Sequence, residues 1–347
     1  MELYLQKFGA QLRVKDGLFQ VTVPDITGAN NHLVEQFAAH QVKSILLHKG
    51  TSISSDALLL ALSKGVDIMI IDHFGNPEGR LYPNKPNGTI ALWKAQLQLS
   101  DTDKGLQIAR FWIAQKIEAR LDHLRKLKPY RNAYVEKVAI IEKAETTIKA
   151  LLHKVKEHPT AQPVENAASL RGFEGTAGRT YFDTLIALIP DEYRCSGRSF
   201  RPADDIFNAF LNYGYGILYS KVETALHLAG LSPYIGFMHS DGHKRKSLVF
   251  DFIEPFRIWV DKEVFKLFTR KIAQPRHGYI HKDKGLWLND EGKQIITIAL
   301  LERFKENITD TQGKIHTFES ILTDAARHLV SKILRGGDKP PSLLNSN

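Results

Sequence analysis

The spacing of apolar residues changes once along this chain, and that change divides it in two. Up to about residue 82 the pattern alternates, as half-buried strands do. Gln11-Leu12-Arg13-Val14 and Leu18-Phe19-Gln20-Val21-Thr22-Val23 flank Lys15-Asp16-Gly17, where Asp-Gly suits a hairpin because glycine accepts a positive φ. Residues 42–48 and 66–72 read as further strands. Between them Ser54-Ser55-Asp56 can cap a short helix over 57–64, which Gly65 stops. Leu81-Tyr82-Pro83-Asn84-Lys85-Pro86-Asn87-Gly88 then has the composition of a linker. From residue 92 to about 156 apolar residues recur at three and four, through Ile108, Phe111, Trp112, Ile117, Leu121 and Leu124, with a break at Pro129. Later helices are predicted over 164–188, 204–229, 259–271, 290–307 and 317–334.

The predicted fold class is therefore α+β. An N-terminal all-β, sandwich-like domain spans 1–82, a linker 83–91 and a larger all-α domain 92–335. The tail, 336–347, lacks apolar content and is predicted to be disordered. A length of 347 residues is enough for two such domains, each with its own core.

Charge narrows the partners without naming one. The 47 Lys and Arg against 38 Asp and Glu leave a formal +9, and residues 91–157 alone carry 14 basic against 8 acidic residues. Such a face is either solvated or tracks nucleic acid, and composition leaves both readings open. Lone Cys195 excludes an internal disulfide framework and any cysteine-rich metal site. The start has no signal-peptide shape, and the longest apolar runs, 57–62 and 68–71, fall far short of a membrane span. A soluble cytoplasmic protein that engages no membrane is expected.

Three segments of the helical part can carry chemistry. In Arg171-Gly172-Phe173-Glu174-Gly175-Thr176-Ala177-Gly178-Arg179 three glycines sit in a helix beside an acid, each costing about 1 kcal/mol relative to alanine. Close approach of another helix or of a ligand would account for them. In Ser232-Pro233-Tyr234-Ile235-Gly236-Phe237-Met238-His239 a histidine ends an apolar run and meets the basic Lys244-Arg245-Lys246 loop. A lone histidine there is either structural or a ligand. In Ser247-Leu248-Val249-Phe250-Asp251-Phe252-Ile253-Glu254-Pro255-Phe256-Arg257 two acids and an arginine interrupt an apolar stretch, which is costly to bury unless they are paired or hold a metal. Pro255 places Glu254 at a helix junction. One imidazole with two or three carboxylates suits Mn²⁺ or Mg²⁺ better than zinc. No nucleophile elbow, phosphate-loop or dinucleotide fingerprint is present.

At these residues the chain resembles the CRISPR-associated protein 1 family, the integrase and endonuclease of CRISPR adaptation. Four blocks carry the resemblance, in the right order: Gly172-Phe173-Glu174-Gly175 to Tyr181-Phe182; Asn212-Tyr213-Gly214-Tyr215-Gly216-Ile217-Leu218; Ala229-Gly230-Leu231 to His239; and Ser247-Leu248 to Arg257. Ser232 stands where the family commonly has aspartate, and Lys244-Arg245-Lys246 is more basic than the usual loop. The resemblance implies Glu174, His239 and Glu254 as catalytic metal ligands for Mn²⁺ or Mg²⁺, with Asp251 as a further acidic position near the site. It points to Arg179, Asn212, Lys244, Arg245, Lys246 and Arg257 as DNA contacts, Arg257 being equally able to neutralise an acid.

The implied partners are double-stranded DNA (spacer and CRISPR repeat), CRISPR-associated protein 2 and a second copy of this chain, paired through the N-terminal domain. The implied reaction inserts spacer DNA into the array by attack of a 3′-hydroxyl on a phosphodiester. A transposon-type integrase with the same site, and a basic DNA-binding scaffold without catalysis, are the alternatives.

Overall fold

The structure is a computed structural model. It describes residues 2–24, 33–42, 44–71, 77–81, 89–131, 134–200, 202–238, 245–280, 285–309 and 313–335. His239, Lys244 and the tail 336–347 lie outside the described residues, as does most of the expected linker.

The N-terminal part holds two four-stranded mixed sheets. The first pairs β1 (Glu2–Leu5) with β5 (Ser44–His48), then β7 (Asp67–Ile71) and β8 (Pro77–Leu81); the second runs β4 (Leu33–Phe37), β3 (Leu18–Val23), β2 (Gln11–Lys15) and β6 (Ser52–Ile53). The expected hairpin is β2–β3, with Lys15 opposite Leu18 and Gly17 at φ +73°. Helix α1 (Ser55–Ser63) crosses from β6 to β7, the Ala57 backbone N–H donating to the Ser54 hydroxyl. The expected short helix serves as the crossover that β5 and β7 need, because they run parallel. Leu12, Phe19, Ile45, Leu47, Ala57 and Ile68 fill the core between the sheets. On β5 the alternate residue Leu46 faces outward, with Met69 and Ile71, toward the helical domain. Across that seam Tyr4 donates to Glu319 (3.3 Å), which within the helical part also accepts from Lys221 (2.7 Å).

The helical part begins with α2 (Thr89–Ser100), three residues before the period alone suggests. Thr102 caps α3 (Asp103–Leu127), so one expected segment becomes two helices. A turn at Pro129 then reverses the chain into α4 (Val135–Lys156). Next come α5 (Pro163–Leu188) and α6 (Ile206–Leu228), the latter capped by Asp205. After them α7 (Ser247–Phe252), a single 3₁₀ turn (Glu254–Phe256) and α8 (Arg257–Thr269) follow one another almost without a break. The hairpin β9 (Gly278–Ile280) and β10 (Leu286–Leu288) precedes α9 (Asp290–Lys305). A second hairpin, β11 (Asn307–Thr309) and β12 (Ile315–Thr317), precedes α10 (Phe318–Arg335).

The α+β class expected from the sequence is thus the one observed; the two short hairpins within the helical part have strands of three residues, too short to display an alternation. One continuous core joins α2 to α10. Helix α3 lies at its centre, packed on α4, α5, α7 and α8. Among the described residues no helix is long and apolar enough to cross a membrane.

Candidate functional site

A helix surrounded on most sides cannot keep its charges in water, so each buried one needs a partner. Helix α3 buries Lys116, Arg120 and His123 on one face, at i, i+4 and i+7. Each finds its partner on another helix. The Lys116 ammonium donates to Glu174 Oε1 on α5 and to Glu254 Oε2 at the α7–α8 junction. Arg120 Nε donates to Asp261 Oδ2 on α8 across 3.1 Å, and Asp261 Oδ1 accepts from the Tyr215 hydroxyl of α6. His123 Nδ1 lies 2.7 Å from the Tyr181 hydroxyl. Glu174 and Glu254, distant in sequence, therefore converge on one cationic group.

Glu254 has a second partner. Its Oε1 accepts from Arg257 Nε at 2.9 Å, one turn later, while Arg257 Nη2 donates to the Tyr219 hydroxyl at 2.7 Å. The guanidinium also lies over the rings of Tyr215 and Tyr219. Burial pushes the Glu254 carboxyl pKa up, but Arg257 and Lys116 outweigh it and hold the value at about 2. Glu254 is thus a carboxylate at neutral pH although its side chain is only 8% exposed, whereas Glu174 is 24% exposed and forms the open side of the pair.

Asp251 serves a different purpose. Its Oδ2 accepts the backbone N–H groups of Phe237 (2.6 Å) and Met238 (3.0 Å). From the other side Arg171, one turn before Glu174, donates to the Met238 carbonyl at 3.0 Å. The backbone of Phe237 and Met238 is therefore fastened to α5, which carries Glu174, and to α7, which ends just before Glu254. The fastening requires a glycine: a Cβ on Gly236 would come within 2.8 Å of both Asp251 Oδ2 and Ser247 Cβ.

The glycines of α5 divide by role. A Cβ on Gly178 would stand 3.3 Å from Arg120 Nη1 and 3.9 Å from Glu174 Oε1, so close approach does explain this one. Gly172 and Gly175 are exposed and face open space, leaving the approach along Glu174 clear.

The residues expected to meet DNA also divide. Arg179 and Arg245 are exposed. Lys246 is half-buried and paired with Glu223 at 2.7 Å. Asn212 accepts from Arg198 at 2.6 Å and donates to the Phe200 carbonyl, fastening the loop before α6. Arg257 belongs to the buried cluster, 15% exposed, and neutralises Glu254. Lys116, Arg120, Arg171 and Asp261 escaped sequence reasoning. Three polar side chains on one stripe of a helix otherwise rich in Ile and Leu were the available signal for α3.

The two described carboxylates fit a hard cation: their oxygens already meet around a positive charge, that of the Lys116 ammonium. Among the described residues no three His, Cys, Asp or Glu side chains form a ready metal site, and His239 lies outside them.

Comparison with known proteins places the chain in a family and a fold. The family model described as CRISPR associated protein Cas1 matches residues 3–302. A CRISPR-associated endonuclease Cas1 of Archaeoglobus fulgidus is 31% identical over 345 residues, covering 97% of each chain. One from Thermus thermophilus is 29% identical, covering 99% of each. Among solved structures, a casposase bound to integration product shares the fold with a TM-score of 0.72 at 21% identity, covering 97% of this chain and 96% of that one. A Cas1 protein from Thermotoga maritima does so with a TM-score of 0.64 at 21% identity, covering 98% and 100%. The chain therefore belongs to the Cas1 family of CRISPR-associated proteins.

Proposed function

We infer that this chain is a divalent-metal-dependent DNA endonuclease and integrase that inserts spacer DNA into a CRISPR array. The observation that carries the reading is the meeting of Glu174 and Glu254 around one positive charge in a largely buried cluster. Glu174, Glu254 and His239 would hold Mn²⁺ or Mg²⁺. When bound, the ion supplies Lewis-acid polarisation of the phosphoryl oxygen and stabilises the leaving oxygen.

The chain's own residues prepare that site. Arg257 keeps Glu254 ionised and fixes one of its oxygens. Asp251 and Arg171 aim the backbone that delivers His239. In strand transfer the 3′-hydroxyl of the incoming strand forms a new P–O bond to the target phosphorus. The target's own P–O bond breaks, its 3′-oxygen takes up a proton, and the number of phosphodiesters is unchanged. Water in place of that hydroxyl gives cleavage.

DNA and a Cas2 subunit are the proposed partners. Solved structures similar in fold include a Cas1–DNA complex and a Cas6-RT-Cas1–Cas2 complex. Pairing of two copies through the β-rich domain completes the reading. A scaffold without catalysis would gain nothing from the buried carboxylates. A transposon-type integrase would share them, and insertion at a repeat boundary rather than at an unrelated target separates the two.

The test is Mn²⁺- or Mg²⁺-dependent cleavage and strand transfer by wild type, Glu174→Ala, His239→Ala and Glu254→Ala. Severe loss in each, with the fold retained, is expected. Normal turnover by all three would refute the ligand assignment.

A further inference from the structure

The proposed chemistry makes no use of Lys116, yet the fold buries its ammonium between the two carboxylates that matter most, with only 7% of the side chain exposed. Isolated, that ammonium would be costly in this position, as would two carboxylates facing each other. Together the charges cancel. Glu174 and Glu254 contribute two negative charges, and Lys116 and Arg257 two positive ones. The cluster is thus balanced without a metal ion, and a divalent cation would leave it with an excess of positive charge.

Only one of the two resident cations can yield. Arg257 is gripped by Glu254 and by the Tyr219 hydroxyl, and lies over two tyrosine rings. Lys116 is a point charge on a flexible four-carbon stem, held by the same two carboxylates.

We propose that Lys116 is a positioning residue that holds Glu174 and Glu254 together in the metal-free protein and competes with the divalent ion for their oxygens. The ion binds as the ammonium gives up at least one of its contacts. The fold thereby keeps the acidic pair ordered without a metal, at the expense of metal affinity. This inference rests on the metal site proposed above.

The experiment is a Mn²⁺ titration of the full-length protein, followed by calorimetry and by the electron paramagnetic resonance signal of free Mn²⁺. Thermal denaturation is run with and without the ion. Wild type is compared with Lys116→Met, Lys116→Gln and Glu174→Gln, the Gln variant at 116 keeping an amide donor should the Met variant fail to fold. Two unit charges a few ångströms apart in a partly buried site interact strongly enough that removing one should tighten Mn²⁺ binding by roughly tenfold or more. Both Lys116 variants should also melt lower than wild type without metal and gain more from Mn²⁺. Glu174→Gln should lose binding. Equal or weaker Mn²⁺ affinity in the Lys116 variants, beside a wild type that binds and a Glu174→Gln that does not, overturns the competition while leaving the metal site standing. Absence of binding in every protein would remove the metal site and this inference with it.

Discussion

Arg171 donates to the carbonyl oxygen of Met238 across 3.0 Å, tying the helix that carries Glu174 to the residue before His239. Asp251 holds the same short stretch through two backbone N–H groups. The proposed site asks two carboxylates and an imidazole from three parts of the chain to share a centre, which requires the irregular segment before His239 to be fixed. These two side chains fix it.

Removal of that tether should lower activity far more than stability. Arg171→Ala is expected to reduce metal-dependent cleavage by about tenfold or more and to weaken Mn²⁺ binding, as losses of groups orienting a ligand do. Arg171→Lys should recover part of both. A melting temperature within a few degrees of wild type separates misaimed ligands from a damaged fold.

The Arg120–Asp261 pair should act in the opposite sense. Asp261 is fully buried and Arg120 nearly so, so breaking the pair from one side leaves an uncompensated charge in the core. Arg120→Ala or Asp261→Ala should each cost about 3–5 kcal/mol in urea denaturation. Replacing both by apolar residues of similar volume should recover most of that loss.

Acid should weaken the fold in two stages. Burial, with Lys262, Arg131 and Arg120 nearby, lowers the His123 pKa from 6.5 to about 3. Below about pH 6.5 the unfolded chain therefore binds a proton that the native state refuses. Stability from this group falls by up to about 1.4 kcal/mol per pH unit until about pH 3. Glu254, held at about 2, adds its own loss only as pH falls below 4.5. Urea midpoints measured between pH 7 and 5 should be flatter with pH in His123→Gln than in wild type.

Salt should distinguish surface cations from the buried Arg257. DNA affinity should fall log-linearly with salt, and Arg179→Ala and Arg245→Ala should each reduce the slope by about one. Arg257→Ala should leave the slope unchanged while abolishing cleavage, because its charge is spent on Glu254. A slope unaffected by Arg179 and Arg245 would place the DNA elsewhere.

What the sequence discloses depends on whether the signal is local. Long helices such as α5 and α6 carry it in their own periodicity, and the β2–β3 hairpin in its Asp-Gly turn. Helix α7 spans only six residues and β9 to β12 three each, so no period has room to repeat. Glu174 and Glu254 are singled out through family blocks, and the structure brings them together on Lys116. Lys116 and the Arg120–Asp261 pair were not, because their meaning arises only when α3 is enclosed by α5 and α8. Asp251 was seen as an acid near the site. Its grip on the backbone of Phe237 and Met238 depends on a bend that no spacing rule describes.

At Gly236 even a methyl group would collide with the Asp251 carboxylate and with Ser247. Inheritance at this position is consequently closed in a way that it is not at Gly172 or Gly175. A lineage that drifts here must displace either the Asp251 carboxylate or the Ser247 side chain, and with them the backbone of Phe237 and Met238, while the rest of the helical core can keep its shape.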